Sequence, residues 1–241
     1  MEEKIQGFVL NTIRYGDSSL IVKVYTLNAG LQSYMVKGVN GKKSKNQMAF
    51  FQPMTFLCFL QSGKLKTSNL AYLRNPEVTY TFQSIPMVMN KSAILLYLSE
   101  LLSQTLTQQE RNDKLYQFVF QSLVWLDLVD SGYANFPLYF TLELCRFLGF
   151  YPQCDYRENA FFDMMEGHFV AFNPVHPYYL DQNNSVVLSR FLNCSIDEMT
   201  KVPLTGLQRN DLLDGLLTFM RLHAPMVKGI QSHEILKVVL H

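Results

Sequence analysis

The chain has little of what enzyme sites and membrane anchors are usually made from. Its four cysteines, Cys58, Cys145, Cys154 and Cys194, are widely spaced and form no C-x-x-C pair. Neither a disulfide framework nor a paired-thiol metal site is read from them, and reduced thiols in a cytoplasmic protein are expected. G-x-S-x-G, H-E-x-x-H and G-x-x-x-x-G-K-[ST] are all missing. The segment Gly38-Val39-Asn40-Gly41-Lys42-Lys43 has the residues of a phosphate loop without its spacing. Nucleotide hydrolysis therefore has no support. The densest apolar window, Ala93–Leu102, is too short and interrupted to span a bilayer, so no membrane partner is expected. The opening Met1-Glu2-Glu3-Lys4 is acidic and polar, so a secretory leader is not expected either.

What is there suffices for a real core. In 241 residues, 48% are hydrophobic and 17% charged, with a formal net charge of +1. That balance hides an asymmetry. Residues 1–80 hold ten Lys/Arg against four Asp/Glu, a net of +6, whereas residues 81–241 hold eleven against sixteen, a net of −5. The split predicts two domains, 1–80 and 81–241, with an anionic partner for the first.

From Lys4 to about Tyr72 the pattern has the period of strands. Ile5–Leu10 opens it, and Leu20, Val22 and Val24 alternate with Lys23 and Tyr25. Asn28-Ala29-Gly30 marks a hairpin turn, and Leu31–Val36 a returning strand. The nearly all-apolar Met54–Leu60 reads as a strand buried on both faces, and Leu65–Tyr72 as the fifth and last. Five short strands joined by turns suit a small closed barrel, with an SH3-like barrel or a sandwich fragment fitting nearly as well. Out of the third strand and into a loop runs Tyr34-Met35-Val36-Lys37-Gly38-Val39-Asn40-Gly41-Lys42-Lys43-Ser44-Lys45, with four lysines and no acid. Compact point charges on a glycine-containing loop suit phosphates better than base edges. Lys37, at the strand end, leads this set with Lys42, Lys43 and Lys45. Arg14, Lys23, Lys64, Lys66 and Arg74 are candidates to extend it. Tyr15, Tyr25 and Tyr34 are candidates for stacking on unpaired bases, with half-buried packing as the plainer alternative for each.

From about Ser84 the period becomes helical. Helices are expected over Lys91–Thr105, Asp113–Val129 and Pro137–Leu148, the last ending at Gly149, with short ones over Val187–Leu192 and Ile196–Val202. A long one is expected over Gly206–His223, and Ser232 should N-cap a final turn or two. Tyr151–Leu180 is irregular, with short strands expected at Ala160–Met164 and His168–Phe172.

Several stretches resemble the RecO family of bacterial recombination mediators. They are G-F-V-L-N-T-I-R-Y-G-D-S-S-L-I-V-K-V-Y-T, V-Y-T-L-N-A-G-L-Q-S-Y-M-V-K-G-V, F-Q-P-M-T-F-L, L-E-L-C-R-F-L-G-F-Y-P and M-R-L-H-A-P-M-V-K-G-I-Q-S-H-E-I-L. Their order and spacing carry the resemblance over most of the chain. It implies an α+β protein with an N-terminal OB-fold and a helical domain. It also implies binding of single- and double-stranded DNA, annealing of complementary strands, and joint action with RecR. Together these would load RecA onto DNA covered by single-strand-binding protein. No cofactor and no catalytic residue is implied, and the site would be cytoplasmic, at the nucleoid. A rival reading is an adaptor whose basic barrel docks acidic protein tails.

The chain departs from the family pattern in two places. Where members carry a four-cysteine zinc site, this sequence reads Pro152-Gln153-Cys154-Asp155-Tyr156-Arg157, with no second pair downstream. A tetrahedral site needs four ligands, and Cys154, His168 and His176, eked out by Asp163 or Glu166, match no ligand spacing; no zinc is expected. The same carboxylates and imidazoles make a distant case for a hydrolytic metal. The resemblance also implies a pocket for the acidic tail of single-strand-binding protein. Near Leu138 and Tyr139, where members carry Arg, this chain is apolar or aromatic. Arg146, whose plainer reading is a side chain snorkelling from a core helix to solvent, is the candidate substitute to pair an incoming carboxylate. Lys228 is a weaker candidate.

Overall fold

A computed structural model describes residues 3–39, 48–63 and 70–240. Two compact units emerge, Met1–Gln83 with Leu102–Val124, and Ser84–Leu101 with Trp125–His241. Residues 102–124, assigned by sequence to the second domain, thus group with the first.

The first unit is built on five strands, β1 (Glu3–Tyr15), β2 (Ser19–Thr26), β3 (Gly30–Lys37), β4 (Phe56–Ser62) and β5 (Ala71–Tyr80). They close in the order β1-β2-β3-β5-β4, with β3 and β5 parallel and every other pair antiparallel. That topology is the OB-fold arrangement, which decides between the barrels the sequence allowed. The interior is filled from alternate positions, among them Val9, Val22, Val24, Tyr34, Val36, Leu57, Phe59, Ala71 and Leu73. Each large side chain there contributes about 1.5–3 kcal/mol by leaving water. The expected end of the fifth strand at Tyr72 is corrected: the strand is described over Ala71–Tyr80, while residues 65–69 of the expected Leu65–Tyr72 lie outside the described residues. Asn75, at φ 49, and Pro76 stand inside it, beside register shifts in the β4–β5 ladder. A bulge thus absorbs the two residues that read as a strand breaker.

An aromatic cluster explains why residues 102–124 join the barrel. In helix α2 (Asp113–Leu128), Phe120 meets Phe56 edge-on at 5.0 Å and Tyr80 at 5.9 Å, and Tyr116 lies 5.8 Å from Phe8. Leu31 N–H donates to the Gln108 carbonyl at 3.0 Å. Gly30 (φ +60) sits so close that a Cβ would collide with the Gln108 and Glu110 carbonyl oxygens.

Helices dominate the rest, namely α1 (Met89–Thr105), α3 (Phe136–Leu148), α4 (Gln182–Phe191), α5 (Ile196–Met199), α6 (Gly206–His223) and α7 (His233–Val239). Gly149 closes α3 at φ 88, and Thr205 with Gln208 forms a capping box at the start of α6. The irregular segment folds as a small sheet, β6 (Phe161–Asp163), β7 (His168–Val170) and β8 (Tyr179–Leu180), in the order β7-β6-β8; the third strand was not expected. Ser232 does not cap α7 with its side chain. Its hydroxyl donates instead to the Glu100 carboxylate, which also accepts Gln231 N–H at 2.9 Å and Ser232 N–H at 2.8 Å. A buried polar knot fixes the start of α1. Asp127 Oδ1 accepts Ser84 and Ile85 N–H, both at 2.9 Å, and Lys91 Nζ donates to Ser84 Oγ, Asp127 O and Val129 O. Burial lowers the Lys91 ammonium's pKa against the opposing pull of Asp127 and Asp130.

Gly30→Ala is expected to cost about 2 kcal/mol in denaturant unfolding, because the left-handed backbone and the collision act together. Burial pushes the Glu100 carboxyl up, but the Ser232 hydroxyl, the two N–H groups and His233 outweigh it and leave it below the usual carboxylate value. A depressed carboxyl contributes stability above its unfolded-state pKa and loses it as pH falls through the folded one. Glu100→Gln is therefore expected to cost about 1.5 kcal/mol at neutral pH. Measured below about pH 4, the difference from the parent chain should shrink.

Candidate nucleic-acid interface

Strand parity sorts the barrel's side chains. On β2 and β3, Leu20, Val22, Val24, Gln32, Tyr34 and Val36 are buried, so Ser19, Ile21, Lys23, Ser33, Met35 and Lys37 face outward. Register then lines up the outward residues of neighbouring strands. Ile13 pairs with Ile21, Ile21 with Met35, and Met35 with Tyr72, giving an apolar row across β1, β2, β3 and β5. On one side of it Tyr15 pairs with Ser19 and Ser19 with Lys37. Arg74 stands two residues beyond Tyr72 on the parallel strand, as Lys37 stands two beyond Met35. On the other side Asn11 pairs with Lys23 and Lys23 with Ser33. The face is thus an apolar stripe with Lys37 and Arg74 along one edge and Lys23 on the other. Met35, Lys37, Tyr72, Arg74 and Pro76 line a groove of about 380 Å³ in it. The Lys37 ammonium rests 4.7 Å from the centre of the Tyr72 ring.

Of the sequence-derived residues, Lys23, Lys37 and Arg74 come together here, all exposed. Arg14 does not join them. It pairs with the core residue Leu20, so it has interior parity and emerges exposed at the end of β1. Lys42, Lys43, Lys45, Lys64 and Lys66 lie outside the described residues. The stacking role expected of Tyr34 is corrected. Its ring is 1% exposed, packs edge-on to Phe59 at 4.9 Å, and its hydroxyl donates to Gln61 Oε1 at 3.1 Å. Burial first, and the Glu3 charge second, push its phenol pKa up. Tyr25 is buried too, 5.4 Å from Phe8, with its pKa raised to about 12 by desolvation. Tyr15 alone of the three stands open, at 56% exposed. Tyr72 was missed because it was read as the last residue of the fifth strand, with no partner assigned; pairing it with Met35 is the signal that finds it.

The second unit's candidates are engaged with one another. The Arg146 guanidinium lies 3.8 Å from the Tyr151 ring centre and pairs with Glu143 at 3.2 Å, so an incoming carboxylate would compete with Glu143. Lys228 is exposed. In the small sheet, Asp163 Oδ1 accepts Met165 and Glu166 N–H at 2.8 and 3.1 Å. Its Oδ2 meets His176 Nε2 at 3.1 Å, while His176 Nδ1 accepts Tyr178 N–H at 3.2 Å. Asp163 is thereby a turn organiser. Cys154 is exposed, and among the described residues no three His, Cys, Asp or Glu side chains are grouped to hold a metal. The donor set does not fit the family's zinc. No described helix is long and apolar enough to cross a membrane.

Two family models match the chain, Recombination protein O N terminal over residues 1–82 and Recombination protein O C terminal over residues 88–228. Among curated relatives, DNA repair protein RecO of Phocaeicola vulgatus is 32% identical over 238 residues, 98% of each chain. The protein of that name from Flavobacterium psychrophilum is 33% identical over 240 residues, 99% of each. That of Christiangramia forsetii is 31% identical over 235 residues, 97% of this chain and 96% of the relative.

The two parities make opposite demands on tyrosine. Tyr34→Ala is expected to cost about 3–5 kcal/mol in chemical denaturation, as deletion of a core aromatic does. Tyr15→Ala should stay within about 0.5 kcal/mol of the parent chain in the same experiment.

Proposed function

The chain belongs to the RecO family of DNA repair proteins, and on that premise we propose that it is a non-enzymatic recombination mediator acting through the outer face of its barrel. It binds single- and double-stranded DNA, anneals complementary strands and, with RecR, helps RecA replace single-strand-binding protein. This work belongs in the cytoplasm, with the nucleoid. The observation that carries the reading is the grouping of Lys23, Lys37 and Arg74 around one outward stripe of the OB barrel. Neutralising phosphates lowers the repulsion that slows two strands from meeting, and it needs neither a cofactor nor a proton transfer. Contacts of that kind position a backbone without reading its sequence, as a mediator working at any gap requires. The net +6 of residues 1–80 supplies the wider field that draws DNA to this unit. The acidic tail of single-strand-binding protein is assigned to the helical unit. There it must displace Glu143 to reach Arg146, so Arg146 acts with other groups and not alone.

Fluorescence anisotropy of a labelled single strand across a salt series tests the reading. With about three to five phosphates neutralised, log K should fall with log[salt] at a slope of about −2 to −3.5. The combined change Lys23→Glu, Lys37→Glu and Arg74→Glu should weaken binding and flatten the slope by about 2 while leaving RecR binding intact. If the parent chain does not bind even at low salt, direct DNA contact is refuted, and the basic barrel is left to acidic protein tails.

A further inference from the structure

The DNA-binding reading leaves open what the apolar stripe between the cations is for. Phosphate contact needs none of Ile13, Ile21, Met35 or Tyr72. Isolated apolar side chains on a surface are ordinary. These four are in unbroken register across four strands, with Ile13 48% exposed and the other three partly so. At the usual strand spacing the row is about 14 Å long. A contiguous apolar surface of this kind marks a binding surface.

Resting on that reading, we infer that the stripe selects unpaired bases, with Tyr72 as the residue that stacks on them. The flanking charge names the ligand. An apolar peptide would not call for cations on both sides of its groove, and an acidic peptide would not call for an apolar floor. A single nucleic-acid strand presents both surfaces at once, anionic backbone along an edge and flat apolar bases beside it. A duplex offers the same phosphates but keeps its base faces stacked inside, so the stripe gains nothing from it. Tyr72 is the aromatic member of the row and lies in the groove that Lys37 and Arg74 also line. Lys37 covers the ring in the free chain, so it must swing aside as a base stacks, and it then lies within reach of the adjoining phosphate. The stripe therefore discriminates strand state, while Lys23, Lys37 and Arg74 supply affinity common to both.

The test uses the full chain and three labelled probes of equal length: an oligothymidylate, a base-free strand with the same sugar-phosphate backbone, and a duplex. The parent chain is expected to prefer oligothymidylate to the base-free strand by about tenfold. Tyr72→Leu should erase that preference, weakening oligothymidylate binding about tenfold and leaving the base-free strand and the duplex as they were. Tyr72→Trp should keep the preference, and thermal melts of both variants exclude a folding defect. If Tyr72→Leu weakens all three probes alike, or none, the inference is overturned while DNA binding by the barrel stands. If the parent chain binds none of the probes, the inference falls together with the reading it rests on.

Discussion

The first unit depends on one constraint, the closure of five strands on themselves. In a closed barrel each strand has two neighbours, so its pleat assigns every side chain to the interior or the outside. Once Val22 and Val36 are committed inward, Tyr34 must follow and Lys23, Met35 and Lys37 must point out. One decision about burial fixes both the core and the composition of the outer face. Each supports the other, because sliding β3 by one residue would bury Lys37 and expel Tyr34 together.

Much of this was legible in the sequence where local signals agree. The period of α6 and its termination before Pro225 give Gly206–His223, the span the structure shows. Gly149 ends α3 as its position after a run of apolar residues demands. The basic face was legible in its members Lys23, Lys37 and Arg74 but not in their arrangement, since arrangement comes from pairing between strands. The segment 31–36 alternates apolar and polar residues on both parities, so only its partner Val22 reveals that Tyr34 is interior. For β5 the local signal misled. Asn75-Pro76 reads as a turn, and only the β4–β5 ladder, with its shifted register, keeps the strand going. Arg14 escaped for a related reason, as β1 runs on past the segment whose alternation was clear.

The small sheet of the second unit shows another route to order. A thiolate cage would tie the fold of this segment to metal supply and to the redox state of its cysteines. Here Asp163 gathers the β6–β7 turn and His176 by hydrogen bonds, and Asp155 accepts Phe169 N–H at 3.2 Å. Beneath them Phe162 packs against Phe169 at 5.1 Å and Phe219 at 5.6 Å, joining the sheet to α6. Carboxylates and aromatic rings thus hold this segment together.

The barrel's five seams are unequal. Antiparallel ladders join β2 to β3 from Ser19↔Lys37 to Thr26↔Gly30, whereas among the described residues the parallel seam between β3 and β5 holds only Tyr34↔Ala71 and Met35↔Tyr72. Among the described residues, fewer backbone bonds tie that seam than any other, so of the ladders described it parts at least cost. Lys37 and Tyr72 stand on opposite lips of it. A strand of nucleic acid lying across them would act as a suture, tightening the barrel along that short described ladder as it binds.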